Sequence, residues 1–162
     1  MTESVEFRLV GPEDEEILIE LFQGIRDRFF RPHPFTAAAA RRIATRRGRD
    51  IYAILIANEQ PVGYGILRGW DEGYEVPSLG VAVRNEAQGQ GFGRLTMINL
   101  HAEAARGGAR LVRLRVHSDN LRARRLYKSL GYSYAGEDRG EMVMVLALDQ
   151  YAPGESPRDR PP

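Results

Sequence analysis

The run Gln88-Gly89-Gln90-Gly91-Phe92-Gly93 is the densest chemical signal in the chain. It follows a strand-like apolar segment and opens a helix-like one. The first turn of a helix carries unpaired N–H groups and the positive end of the peptide dipoles. Glycines there let a ligand approach those N–H groups, so the segment reads as a cradle for a pyrophosphate. Arg94 points the same way, because a cation in the first turn is unfavourable by about 0.3–1 kcal/mol unless an anion lies close. A glycine-rich turn with no ligand has the same composition. Spacing excludes two other phosphate loops. No Gly-Lys-Ser/Thr follows, as a P-loop requires. The glycines run G-x-G-x-G rather than G-x-G-x-x-G, and hairpins precede them rather than a parallel unit.

Few other side chains offer strong chemistry. His33, His101 and His117 are scattered without metal-ligand spacing, so no metal site is expected. There is no cysteine, which excludes disulfides, thiolate metal sites and an acyl-cysteine intermediate. The formal net charge is +1, so no global field favours nucleic acid or an anionic membrane. The longest apolar run, residues 51–57, is too short to span a bilayer. The N-terminal Met-Thr-Glu-Ser lacks the basic and apolar regions of a signal peptide, and a cytoplasmic protein is expected.

These groups need a scaffold, and 162 residues suit a single domain. Val5 to Leu9 reads as a strand. Acidic residues 13–16 suit a helix start, and Ile17, Leu18, Leu21, Phe22, Ile25 and Phe29 continue at helical spacing up to Arg31-Pro32-His33-Pro34. Thr36 can cap a second helix carrying Ala39, Ala40 and Ile43. Residues 51–57 and 62–67 form a hairpin across Asn58-Glu59-Gln60-Pro61. Glu75 to Val83 reads as a further strand, interrupted by Pro77 and Gly80, where something approaches the backbone. A helix follows the glycines and stops at Gly107-Gly108. Leu111 to Val116 is a strand. Asp119 or Asn120 caps the next helix, whose inward stripe is Ala123, Leu126, Tyr127 and Leu130, with Gly131 at its end. Met142 to Leu148 is the last strand. The predicted order is β-α-α-β-β-β-α-β-α-β-β, with a domain over residues 1–151 and a disordered tail over 152–162.

Val81-Ala82-Val83 followed by Gln88-x-x-Gly91-x-Gly93 resembles the acetyl-CoA-binding motif of the GNAT superfamily of N-acetyltransferases. A second block, Asn120-x-x-Ala123-x-x-Leu126-Tyr127-x-x-x-Gly131-Tyr132, is similar to another signature of that family. Their order and the element order agree with it over nearly the whole chain to Leu148. The resemblance implies an α/β fold with a mostly antiparallel central sheet, its fourth and fifth strands splayed apart and helices flanking it.

It also implies roles. The amides of Gly89, Gln90, Gly91, Phe92, Gly93 and Arg94, introduced by Gln88, would hold the pyrophosphate of acetyl-CoA. The strand bearing Leu79, Val81, Ala82 and Val83 would pair with the pantetheine arm. Asn120 would touch the cofactor beside the thioester, or act only as a helix cap. Tyr127 would protonate the departing thiolate, although a tyrosine on that stripe also reads as core. Glu75 is the first choice for the base that deprotonates the amine, with Glu72 and His117 as alternatives. Phe30, His33 and Phe35 would shape the amine pocket, or form a rigid hydrophobic connector. Arg122, Arg124 and Arg125 read as a solvated basic face, or one of them meets the 3′-phosphate. The expected reaction is direct acetyl transfer to a small-molecule amine in a ternary complex, with no metal. A protein N-terminal or lysine acetyltransferase and a non-catalytic acyl-CoA-binding module are the alternatives. Assembly as a homodimer is left open.

Overall fold

The structure, a computed structural model, describes residues 4–151. The segment 152–162, expected to be a disordered tail, lies outside the described residues. One seven-stranded sheet organises the molecule, in the order β1-β2-β3-β4-β5-β7-β6. The strands are β1 (Val5–Leu9), β2 (Ile51–Ala57), β3 (Gln60–Arg68), β4 (Ser78–Val83), β5 (Leu111–Val116), β6 (Ser133–Asp138) and β7 (Glu141–Ala147). All neighbouring pairs are antiparallel except β4 with β5. No helix among the described residues is long and apolar enough to cross a membrane.

Helices cover both faces. On one lie α1 (Glu15–Gln23) and α2 (Ala37–Thr45), whose Leu18, Leu21, Phe22, Ala40 and Ile43 pack on Ile54, Tyr64 and Ile66. On the other lie α3 (Phe92–Arg106) and α4 (Leu121–Ser129), packed through Met97, Leu100 and Tyr127 on Leu79, Leu114 and Met144. Thr36 caps α2, accepting from the Ala39 N–H at 3.1 Å. Asn120 caps α4, accepting from the Ala123 N–H at 3.3 Å.

Two expectations of extent are corrected. The first helix does not continue to Phe29 but ends at Gly24. There the chain is drawn to the end of β4: Asn85 N–H donates to the Gly24 carbonyl, and Asn85 Oδ1 accepts from the Arg26 N–H. Ile25 still reaches the core from the loop, so its spacing mimics a helix. The strand expected from Glu75 starts only at Ser78, because Pro77 has no N–H to give a ladder. The hairpin turn is also tighter than read. Asn58 and Glu59 alone form it, with φ of 49° and 67°, and Pro61 lies within β3.

Close packing sets the height of α3 over the sheet. A Cβ at Gly63 would lie 2.7 Å from Thr96 Oγ1, and one at Gly65 2.6 Å from Leu100 Cδ1. The buried His101 of α3 ties down the segment after α4, with Nε2 2.7 Å from the Tyr132 hydroxyl and Nδ1 3.2 Å from that of Tyr151. Burial lowers the His101 pKa to about 4. The unfolded ring, at about 6.5, binds a proton first as the pH falls. Stability is therefore complete above about pH 6.5 and declines toward pH 4, by up to about 3 kcal/mol from this group. Urea midpoints should fall over that interval, and H101Q should flatten the decline.

Candidate active site

The parallel pair β4–β5 is joined by a single bridge, Ser78 to Arg113, with the Arg113 N–H donating to the Pro77 carbonyl at 3.0 Å. Beyond it the strands diverge. Arg84 N–H donates to Val62 of β3, and alternation turns the main-chain groups of Ser78, Gly80 and Ala82 to β3 as well. Those of Leu79, Val81 and Val83 point toward β5; the bridge takes the Leu79 N–H, and Val81 and Val83 face the gap. A cleft of about 1050 Å³ opens there, bounded by the loop after α1, by β4, by the start of α3, by the end of β5 and by α4.

At one end lie the glycines. Gly89 and Gly91 take φ of 80° and 87°, the left-handed region that favours glycine. Gly91 is the N-cap of α3 and offers no side-chain cap. The first helical bond runs from Leu95 N–H to the Gly91 carbonyl, so the amides of Phe92, Gly93 and Arg94 are left for a ligand. Arg122 reaches over this turn, its Nη1 donating to Gln88 Oε1 at 3.2 Å. These free amides, the guanidinium and the unpaired edge of β4 fit the pyrophosphate and amide-rich arm of coenzyme A.

In the middle stands Tyr127. It is buried on α4 and lines the cleft. Its phenol pKa is raised strongly, chiefly by desolvation and secondarily by the negative charge of Asp27. At the far end Phe29 stacks at 5.3 Å from the His117 ring and carries Arg28 at 4.4 Å on its own ring. Asp119 N–H donates to His117 Nδ1 at 3.1 Å, so the neutral ring holds its proton on Nε2 and presents a donor. Two carboxylates line the cleft, Asp27 and Glu141. Asp27 Oδ1 accepts from the Phe29 N–H at 2.9 Å. Arg113 and Arg115, on the strand beside Glu141, turn instead to Asp138, at 3.4 and 3.7 Å. Among the described residues no group of three or more His, Cys, Asp or Glu side chains could hold a metal ion.

Of the residues singled out from sequence, Leu79, Val81, Ala82, Val83, Gln88, Gly89, Gly91, Phe92, Gly93, Arg94, Asn120, Arg122, Tyr127, His117 and Phe30 border this cleft. Others do not. Glu75 is exposed in the segment before β4 and lies outside the lining, because Pro77 delays the strand that was to aim it inward. Glu72 and His33 border a separate groove of about 380 Å³. Phe35 packs with Phe22, Phe30 and Tyr64 in the core. Gln90 is exposed and outside the lining. Arg124 is bound to the Ser118 carbonyl at 2.9 Å, and neither it nor Arg125 lines the cleft. Sequence reasoning missed Asp27, Phe29, Arg115 and Glu141. Asp27 and Phe29 were hidden in the over-extended helix; Arg115 lies on β5, which borders the gap, and Glu141 is carried there at the start of β7, the strand paired with β5.

The sequence profile of the acetyltransferase (GNAT) family matches residues 18–132. The chain belongs to the GNAT family. No curated protein matches this GNAT sequence significantly. Among solved structures, the acetyltransferase of the GNAT family from Streptococcus pneumoniae superposes with a TM-score of 0.73 at 17% identity, covering 89% of this chain and 99% of that one. The GNAT domain of S. lividans PAT gives 0.76 at 14% identity, covering 88% and 90%. The PaiA N-acetyltransferase from Thermoplasma acidophilum, solved in complex with coenzyme A, gives 0.67 at 16% identity, covering 89% and 99%. At these identities the likeness is one of fold, and it extends over nearly the whole GNAT chain.

Arg122 is exposed and its removal leaves no buried partner. R122A should therefore keep the melting temperature of the free protein. It should weaken coenzyme A about tenfold or more, the size of a lost charge-assisted hydrogen bond. Calorimetric titration with coenzyme A checks both the loss and its dependence on salt.

Proposed function

We propose that this GNAT protein transfers an acetyl group from acetyl-CoA to a small-molecule amine in a ternary complex. The observation that carries the reading is the phenol of Tyr127, buried in the gap between the free amides of the α3 turn and the carboxylates Asp27 and Glu141. Acetyl-CoA, when bound, supplies an activated acyl thioester. Everything else comes from the chain. The main-chain N–H groups of β4 that face the gap polarise the acyl carbonyl and stabilise the oxyanion.

Glu141 accepts the proton of the attacking amine. A protonated alkylamine has a pKa near ~10.4 and attacks only once deprotonated. Glu141 suits this better than Asp27, whose carboxylate is engaged by the Phe29 N–H. Tyr127 acts on the leaving sulfur. Its raised pKa makes it a poor acid in isolation, since a thiol sits near ~8.5. It also keeps the hydroxyl protonated, so Tyr127 donates a hydrogen bond as charge builds on sulfur and the proton follows as the bond breaks. Phe29 and Phe30 narrow the acceptor end, which favours a compact amine over a folded protein surface.

Acetyl-CoA and a panel of amines and peptides, followed by thiol release with a thiol-reactive dye, test the reading; the cysteine-free chain adds no background. Release should depend on a small amine. Y127F and E141Q should each lower kcat by about 10²-fold or more with the KM for acetyl-CoA little changed. Release driven only by peptides would reject the small-molecule acceptor, and D27N exceeding E141Q in effect would reject Glu141 as the base.

A further inference from the structure

The loop 24–36 has no regular structure, yet its first half walls the acceptor end of the cleft. His33, on the far side of that wall, is half-buried between core rings and the second groove. Its Nδ1 lies 2.8 Å from the Pro34 carbonyl and its Nε2 2.7 Å from the Tyr64 hydroxyl. A carbonyl only accepts, so Nδ1 carries the ring proton and Nε2 accepts from the phenol. Tyr64 is fully buried in the middle of β3. Phe22, Phe30 and Phe35 surround the imidazole at 5.4, 5.3 and 5.5 Å between ring centroids. Phe30 also lies over Gly80 of β4, and Arg68 of β3 donates to the Pro32 carbonyl at 3.0 Å.

We infer that His33 is a positioning residue whose hydrogen bond from Tyr64 latches the 26–32 wall against β4, and that protonation of its ring releases the wall. A protonated ring can only donate at Nε2. The Tyr64 hydroxyl hydrogen then has no acceptor inside an aromatic box. The surroundings hold the ring neutral at ordinary pH. Its pKa is lowered, first by burial and then by Arg68 of β3 and Arg42 of α2, against the opposing pull of the Pro34 carbonyl. Arg46 borders the same groove, paired with Asp71. Asp50 accepts from the Gly69 and Asp71 N–H groups, while Tyr52 and the exposed Glu72 complete the border. On the cleft side the loop itself presents Asp27 and Arg31. The latch is therefore complete above the usual histidine range and lost as the pH falls through the lowered pKa.

The inference rests on this cleft being the catalytic one, but its test reads the loop alone and needs no substrate. Hydrogen exchange of peptides spanning 24–36 is measured on the full chain near pH 7.5 and near pH 5.5 and corrected for intrinsic rates. Wild-type protection should fall about tenfold on acidification, the change in population per pKa unit. H33Q, whose amide oxygen accepts from Tyr64 without titrating, should stay protected at both values. Y64F should exchange fast at both, while β3 peptides stay protected in all three proteins and show the fold intact. Wild-type protection that ignores pH, or a Y64F loop as protected as the wild type, overturns the latch.

Discussion

The single bridge between β4 and β5 is the constraint on which the molecule depends. A sheet that zipped fully beyond this point would pair the main chain of Val81 and Val83 and leave no cleft. Unpaired main-chain groups are costly when shut away from water, by about 1–3 kcal/mol each. They are tolerable here because they border an open cleft of ligand size. The rest of the architecture braces the split. Full antiparallel pairing with β3 holds β4 on its other edge, and β7 does the same for β5. Gly63 and Gly65 bring α3 down against β3, and the His101–Tyr132 bond fixes the far end of α4 relative to α3.

The two sides of the cleft use different physics. The glycine end is backbone and dipole, with two guanidiniums, Arg94 and Arg122, at its margin. The acceptor end is aromatic, with Phe29 stacked on His117 and carboxylates nearby. Between them stands Tyr127, whose desolvated phenol is held in its neutral form.

Much of this was legible in the residues. The turn Gln88 to Gly93, the caps Thr36 and Asn120, and the strand Leu111–Val116 are local signals, each with a mechanism acting over a few residues, and the structure places them as read. What the sequence hid is what depends on distance. Ile25 and Phe29 keep helical spacing while lying in a loop, Ile25 because the core buries it and Phe29 because it packs on His117 at the cleft. Glu75 fails because one proline, two positions on, postpones the strand. Asp27 and Glu141 lie far apart in sequence and share only the lining of the cleft, so no periodicity could group them. His33 read as a pocket residue because aromatic and proline neighbours look the same from either side of a wall.

The edge of β4 that faces the gap carries a further consequence. Its contribution to the donor end is made by peptide groups, which every residue but proline supplies in full. Drift in the side chains of such a strand leaves the donor surface intact, so long as pleat and splay survive.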